Sequence, residues 1–221
     1  MRRLWLLPAL WLAAHPARAA QEFQLWLESG LEVELAKRWR LELEQHLRFD
    51  RNLTAVDEIM PQVSVSFRPL RFLHLGLGYR FVTEPIESRE ATYVEVWHRI
   101  FADLQLRLRL KPLVLRYRLR YQEQFGWTWR NGERYLARHT FRNRLGLEAR
   151  MLPWLRPTLA GELFVRVGDP DGLLHKWRLS VGIDFVLSAH TLELCYRLED
   201  LVADSNDPTR HILGLGYRYA F

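Results

Sequence analysis

The residues of this chain with the most chemical potential are arginines and glutamates spaced two apart. Arg116, Arg118 and Arg120 alternate with Leu115, Tyr117 and Leu119, with Arg107 and Arg109 before them and Arg138, Arg142 and Arg144 after. Near the start, Glu32, Glu34, Glu42 and Glu44 form an acidic counterpart around Arg40, and Asp103 precedes the first arginines. Charges of opposite sign on separate strands support two kinds of chemistry. One is a transverse field in a water-filled lumen, which steers ions through a pore. The other is a network of ion pairs that closes an interior and stabilises it. Both readings stand at this level.

Catalytic sets are sparse by comparison. His139 and Asn143 share a stripe, but no serine on the neighbouring stripes is available as a nucleophile. Ser188 and His190 flank a short connection, where turn chemistry accounts for both. His175, His190 and His211 come from different stripes without ligand-like spacing, so no metal site and no cofactor are expected. Asp169-Pro170-Asp171-Gly172 reads as a turn rather than a calcium loop. Gly214-Leu215-Gly216 lies in a strand with no helix following, so it is not a phosphate loop.

The elements that must position these charges are strands. Apolar residues recur every second position, the period of a strand with two unlike faces. Leu113, Leu115, Tyr117, Leu119 and Tyr121 oppose Val114, Arg116, Arg118, Arg120 and Gln122, and Trp39, Leu41, Leu43, Leu47 and Phe49 oppose Arg40, Glu42, Glu44, His46 and Arg48. Eleven such stripes run at 24–35, 38–49, 59–68, 72–82, 94–110, 113–125, 134–150, 155–167, 174–187, 190–199 and 209–221. Short connections such as Lys111-Pro112 and Ser188-Ala189 alternate with long polar ones, the plan of an up-and-down meander. A two-residue turn at Lys111-Pro112 sets Asp103 opposite Arg120 and Gln105 opposite Arg118. A three-residue connection centred on Ala36 sets Glu32 opposite Arg40 and Glu34 opposite Arg38.

Many stripes reach the roughly 9–11 residues that a tilted strand needs to cross a bilayer, against about 5–6 for a strand in a globular protein. Length therefore favours an apolar stripe turned outward to lipid and a polar one turned inward. Trp26, Trp39, Trp97, Trp127, Trp129, Trp154, Tyr79, Tyr121 and Tyr219 fall near stripe ends, as an interfacial girdle requires. Leu213, Leu215, Tyr217, Tyr219 and Phe221 alternate at the end of the chain, a pattern like the signal that hands outer-membrane barrels to their assembly machinery and its periplasmic chaperones.

Residues 1–19 read as a cleaved secretory signal peptide: Arg2 and Arg3, an apolar run, then Ala17-Arg18-Ala19. The chain from residue 20 to 221 is then a single barrel domain. Of the 221 residues, 32 are Lys or Arg and 26 Asp or Glu, a formal +6; without Arg2, Arg3 and Arg18 the excess is +3. Such weak basicity, with acids interleaved and the chain exported, argues against nucleic acid as a partner. Lipid and anionic lipopolysaccharide are the expected surroundings, met by basic residues such as Arg51, Arg89, Arg130 and Arg134. With a single cysteine, Cys195, no internal disulfide is possible.

Gln24-Leu25-Trp26, Leu43-Glu44-Gln45-His46-Leu47-Arg48-Phe49, Leu77-Gly78-Tyr79-Arg80 and Gly214-Leu215-Gly216-Tyr217-Arg218-Tyr219 resemble the DUF2490 (domain of unknown function) family of Gram-negative outer-membrane β-barrel proteins. That resemblance implies a membrane barrel in the cell outer membrane and carries no catalytic residues. The expected fold is all-β, an antiparallel up-and-down transmembrane β-barrel of about 10 to 12 strands. Bacterial single-chain barrels have even strand numbers, so eleven stripes call for a missed twelfth strand, a ten-stranded barrel, or an N-terminal segment threading the lumen. The expected function is a non-enzymatic narrow pore or structural barrel with an Arg/Glu-lined lumen. A lipid-modifying hydrolase or acyltransferase is the alternative, and a soluble periplasmic β-protein the third reading.

Overall fold

Alternation of apolar and polar residues suits an extended chain whose two faces meet different surroundings, and each of the eleven stripes is a strand. The structure, a computed structural model, describes residues 21–50, 53–87, 92–128, 134–168, 174–202 and 208–221. The strands are β1 (Glu22–Ala36), β2 (Trp39–Asp50), β3 (Ala55–Leu70), β4 (Leu73–Glu87), β5 (Thr92–Leu110) and β6 (Leu113–Thr128). They continue with β7 (Arg134–Ala149), β8 (Leu155–Val167), β9 (Leu174–Leu187), β10 (His190–Leu201) and β11 (Arg210–Ala220). Their lengths, 11 to 19 residues, exceed what a globular sheet needs. Residues 1–19, expected to be a signal peptide, lie outside the described residues.

Consecutive strands pair antiparallel, and β1 pairs with β11 to close the sheet into a barrel. This closure corrects the expectation of an even count. In a meander the strand direction alternates, so the first and last of eleven strands run the same way. They therefore pair in parallel, from Glu22 against Arg210 to Glu32 against Ala220. None of the three repairs is needed. Lys37-Arg38, Lys111-Pro112 and Ser188-Ala189 turn at one rim, which also carries the end of β11. The longer connections and the start of β1 sit at the opposite, long-loop rim.

Register follows the turns. Lys111-Pro112 does set Asp103 against Arg120 and Gln105 against Arg118. The first hairpin differs: a bulge between Glu34 and Ala36 shortens the turn, so Glu32 faces Glu42 and Glu34 faces Arg40. Arg40 still reaches Glu32 diagonally, with Nη1 2.8 Å from Oε2.

The two faces are inverted relative to a water-soluble barrel. Leu43, Leu77, Leu104, Leu145, Leu163, Leu194 and Leu213 are exposed on the outside, whereas Arg80, Glu95, Asp103, Arg120, Glu148, Glu162, Arg178, Arg197 and Glu199 are buried inside. Fewer of the tryptophans near stripe ends face outward than expected. Trp39, Trp127 and Trp154 face outward, but Trp26 and Trp97 are buried in the interior. Their positions near stripe ends suggested an interface, yet Trp26 shares parity with Glu28, and Trp97 with Arg99, so both must point inward. Trp129 lies outside the described residues.

Outward tyrosines and histidines form couples across adjacent strands. Tyr79 Oη and His98 Nδ1 are 2.7 Å apart, Tyr121 Oη and His139 Nδ1 2.9 Å, and Tyr217 Oη and His190 Nδ1 2.9 Å. The terminal Leu213, Leu215 and Tyr217 are exposed on the same face, and Phe221 packs edge-on to Tyr219.

Candidate functional site

The interior is filled from the long-loop rim to mid-depth. Nearest the long loops, Met60, Val82 and Trp97 form a buried apolar cluster with Leu136 against it, and Arg138 sits over the Trp97 ring at 5.4 Å. Beside them Thr128 Oγ1 donates to the buried carboxylate of Glu95 at 2.8 Å.

At mid-depth, aromatic rings and guanidinium groups meet across the barrel. Trp26 on β1 has Arg48 over its ring at 3.9 Å, Arg178 at 4.8 Å and Arg197 at 5.0 Å. Phe164 on β8 is contacted by Arg142 and Lys176, each at 4.7 Å, and by Arg178 at 5.0 Å. Arg178, on β9, thus bridges rings from two well-separated strands. Cations over aromatic faces gain electrostatic attraction that strengthens on desolvation. These ring-to-guanidinium contacts reach across the interior from β1 to β8.

Each buried charge there needs a partner, since an isolated ion in a low-dielectric interior is costly. Glu162 serves three: Arg118 at 3.0 Å, Arg142 at 2.8 Å and Arg178 at 3.6 Å. Asp103 accepts two parallel bonds from Arg120, both 2.7 Å, the bidentate geometry a guanidinium fork favours. Glu199 takes Lys176 at 3.0 Å and also Arg178, and Glu28 takes Arg197 at 2.9 Å. Arg80 donates to Gln62 at 2.8 Å, and its Nη2 lies 3.2 Å from His46 Nε2. Gly78 makes room for this layer: a Cβ there would come within 2.2 Å of the Phe101 ring, over which Arg120 stacks at 3.9 Å.

Toward the short-turn rim the interior opens. Arg116, Arg218 and Arg40 keep 49%, 48% and 39% of their side-chain surface, and Gln105 and Arg109 are exposed although they point inward. This vestibule has two unlike walls. On one, a small open cleft is lined by Glu28, Glu44, Asp184, Glu193 and Arg218. On the other stand Arg107, Arg109, Arg116 and Arg144, with Glu148 bonded to Arg116 and Arg150.

All the charges expected in the lumen have inward parity. The structure separates them into three kinds. Asp103 with Arg120 is a buried pair, and the half-buried Arg118 and Arg142 pair with the buried Glu162. Arg138 covers Trp97. Glu32, Glu34, Arg40, Glu42 and Glu44, with Arg107, Arg109, Arg116 and Arg144, belong to the vestibule. Trp26, Glu28, Glu162, Phe164, Arg178, Arg197 and Glu199 were missed, although parity within their own strands marks them as inward. Arg51, Arg89 and Arg130, the side chain of Arg134 and the Asp169–Gly172 turn lie outside what the structure describes.

Among the described residues no group of three or more His, Cys, Asp and Glu side chains could hold a metal ion. Cys195 is buried and free. The fold and this interior define an inside-out β-barrel, polar within and apolar without. The chain belongs to the family described as protein of unknown function (DUF2490), whose sequence model matches residues 23–210. No curated protein matches it.

Proposed function

We propose that this protein is a non-enzymatic outer-membrane β-barrel whose Arg/Glu-lined lumen is held shut at mid-depth and open at the short-turn rim, which faces the periplasm. The segment 1–19 is its cleaved leader, and Leu213, Leu215, Tyr217, Tyr219 and Phe221 present it to the barrel-assembly machinery. One observation carries the reading: a closed sheet exposes its leucines and buries its charges. In water both choices are unfavourable, whereas a bilayer rewards an apolar outer band and tolerates strands only in a closed barrel. Lipid-modifying chemistry would need His139 or His190 beside a nucleophile. Both instead face tyrosine hydroxyls, and no observation favours that alternative.

Two measurements test this. On a density gradient the protein should band with outer membranes and leave them only in detergent; recovery in the soluble periplasmic fraction overturns the membrane reading. In a planar bilayer the refolded wild type should be silent, while Trp26→Ala/Phe164→Ala passes stepwise current whose ion preference responds to Arg116→Gln. A large steady current from the wild type would show that the aromatic layer is not the closure.

A further inference from the structure

The basic wall of the vestibule is held together less well than the rest of the interior. Arg107 on β5 and Arg116 on β6 stand directly opposite one another, with Arg109 one inward position beyond. One strand further on, Arg118 faces Arg144. Like charges directly opposite across a strand pair, with Cβ atoms about 4.5–5.5 Å apart, are destabilising. The charges acting most strongly on Arg107 are Arg116, Arg150, Glu148 and Arg109, three cations to one carboxylate. Those acting on His74, across from Gln105, are Arg68, Arg107, Arg40 and Arg116, all cationic. Glu148 is already engaged by Arg116 and Arg150. Among the described residues, Arg107, Arg109 and Arg144 make no ion pair, and Arg107 Nε is buried without a hydrogen-bond partner.

We propose that this wall is an anion-binding site for a soluble solute carrying a phosphate, or a comparable doubly charged oxyanion, entering from the short-turn rim. Arg107 and Arg116 are the principal ligands, with Arg109 and Arg144 at the edges. Guanidinium forks match the tetrahedral oxygens of a phosphate in a bidentate way that a chloride ion cannot exploit. A dianion held between the two facing guanidiniums removes their mutual repulsion. The acidic cleft opposite repels the same anion, so the site is confined to one wall. The proposal rests on the open vestibule of the barrel reading but not on conduction or cell location.

The test is isothermal titration calorimetry of the refolded full chain in detergent micelles with sodium pyrophosphate and sodium phosphate, at fixed ionic strength set with chloride. Pyrophosphate should bind at one site per barrel and raise the thermal midpoint. Arg107→Gln/Arg109→Gln should weaken binding at least about tenfold. That variant relieves repulsion, so its ligand-free midpoint should equal or exceed that of the wild type. Glu42→Gln, on the acidic side, should bind as well as the wild type or better. Long-chain phosphatidic acid in the micelle should not compete, because its acyl chains hold the headgroup at the micelle surface, away from the interior wall. Absence of heat and of any thermal shift overturns the site, as does equal binding by the double arginine variant. Competition by phosphatidic acid would overturn the soluble source and assign the phosphate to lipid.

Discussion

The seam where the barrel closes and the wall opposite it solve the problem of interior charge in contrasting ways. At the seam, carboxylates of β1 meet arginines of β10 and β11 at three depths: Glu22 with Arg210 at 3.2 Å, Glu28 with Arg197 at 2.9 Å, and Glu32 with Arg218 at 3.5 Å. Across β4 to β7, by contrast, arginine faces arginine, at Arg80–Arg99, Arg107–Arg116, Arg118–Arg144 and Arg120–Arg142. The seam is the one junction made by strands from opposite ends of the chain. Complementary charge there specifies which strands meet and in what register. The far wall, formed by consecutive hairpins, has its pairing set by short turns and tolerates repulsion as long as a few shared carboxylates anchor it.

The contrast breaks most readily at those anchors. Glu162→Ala leaves the buried Arg178 and the half-buried Arg118 and Arg142 short of a counter-charge, and the expected loss is about 3–5 kcal/mol, measured by urea unfolding of the refolded barrel in detergent. Asp103→Asn removes the charge from a single bidentate pair and should cost about 1.5–3 kcal/mol by the same titration. At the seam, Glu28 is 29% exposed, so Glu28→Gln should cost only about 1 kcal/mol at equilibrium. Its effect should instead appear as slower or incomplete closure, followed by the gel mobility of unheated samples. The smallest change is at the open rim, where Arg40→Gln should shift stability by about 0.5 kcal/mol or less. If Glu28→Gln proved costlier than Glu162→Ala, the assignment of roles to seam and wall would be reversed.

Much of this architecture was legible because the period of two is visible residue by residue. Parity put Arg116 and Arg118 on the face opposite Tyr117, strand length turned that face inward, and the two-residue turn at Lys111-Pro112 fixed Asp103 against Arg120. The first hairpin was misread because the bulge before Ala36 leaves no mark in residue type. Trp26 and Trp97 were assigned to an interface from their place along a strand, when their parity was the stronger signal. The parallel closure was missed because the alternation of strand directions was set aside for the usual even count. Glu162, Arg178 and Phe164 could be read as inward but not as neighbours of Trp26, since contacts across a lumen depend on closure and curvature that no single strand encodes.

The parallel seam also bears on how the chain could be rewired. In an even meander the last strand ends beside the start of the first, so a short loop can join them and new ends can be cut elsewhere. Here the end of β11 and the start of β1 are at opposite rims. A joining segment would have to run the length of β11, 11 residues, or about 36 Å at roughly 3.3 Å per residue. The inner route is taken up by Trp26, Phe164 and their arginines, and the outer route crosses the apolar face. A circular permutant of this barrel therefore has no cheap path for its linker, and the order in which the strands are strung is locked by the direction of the final pairing.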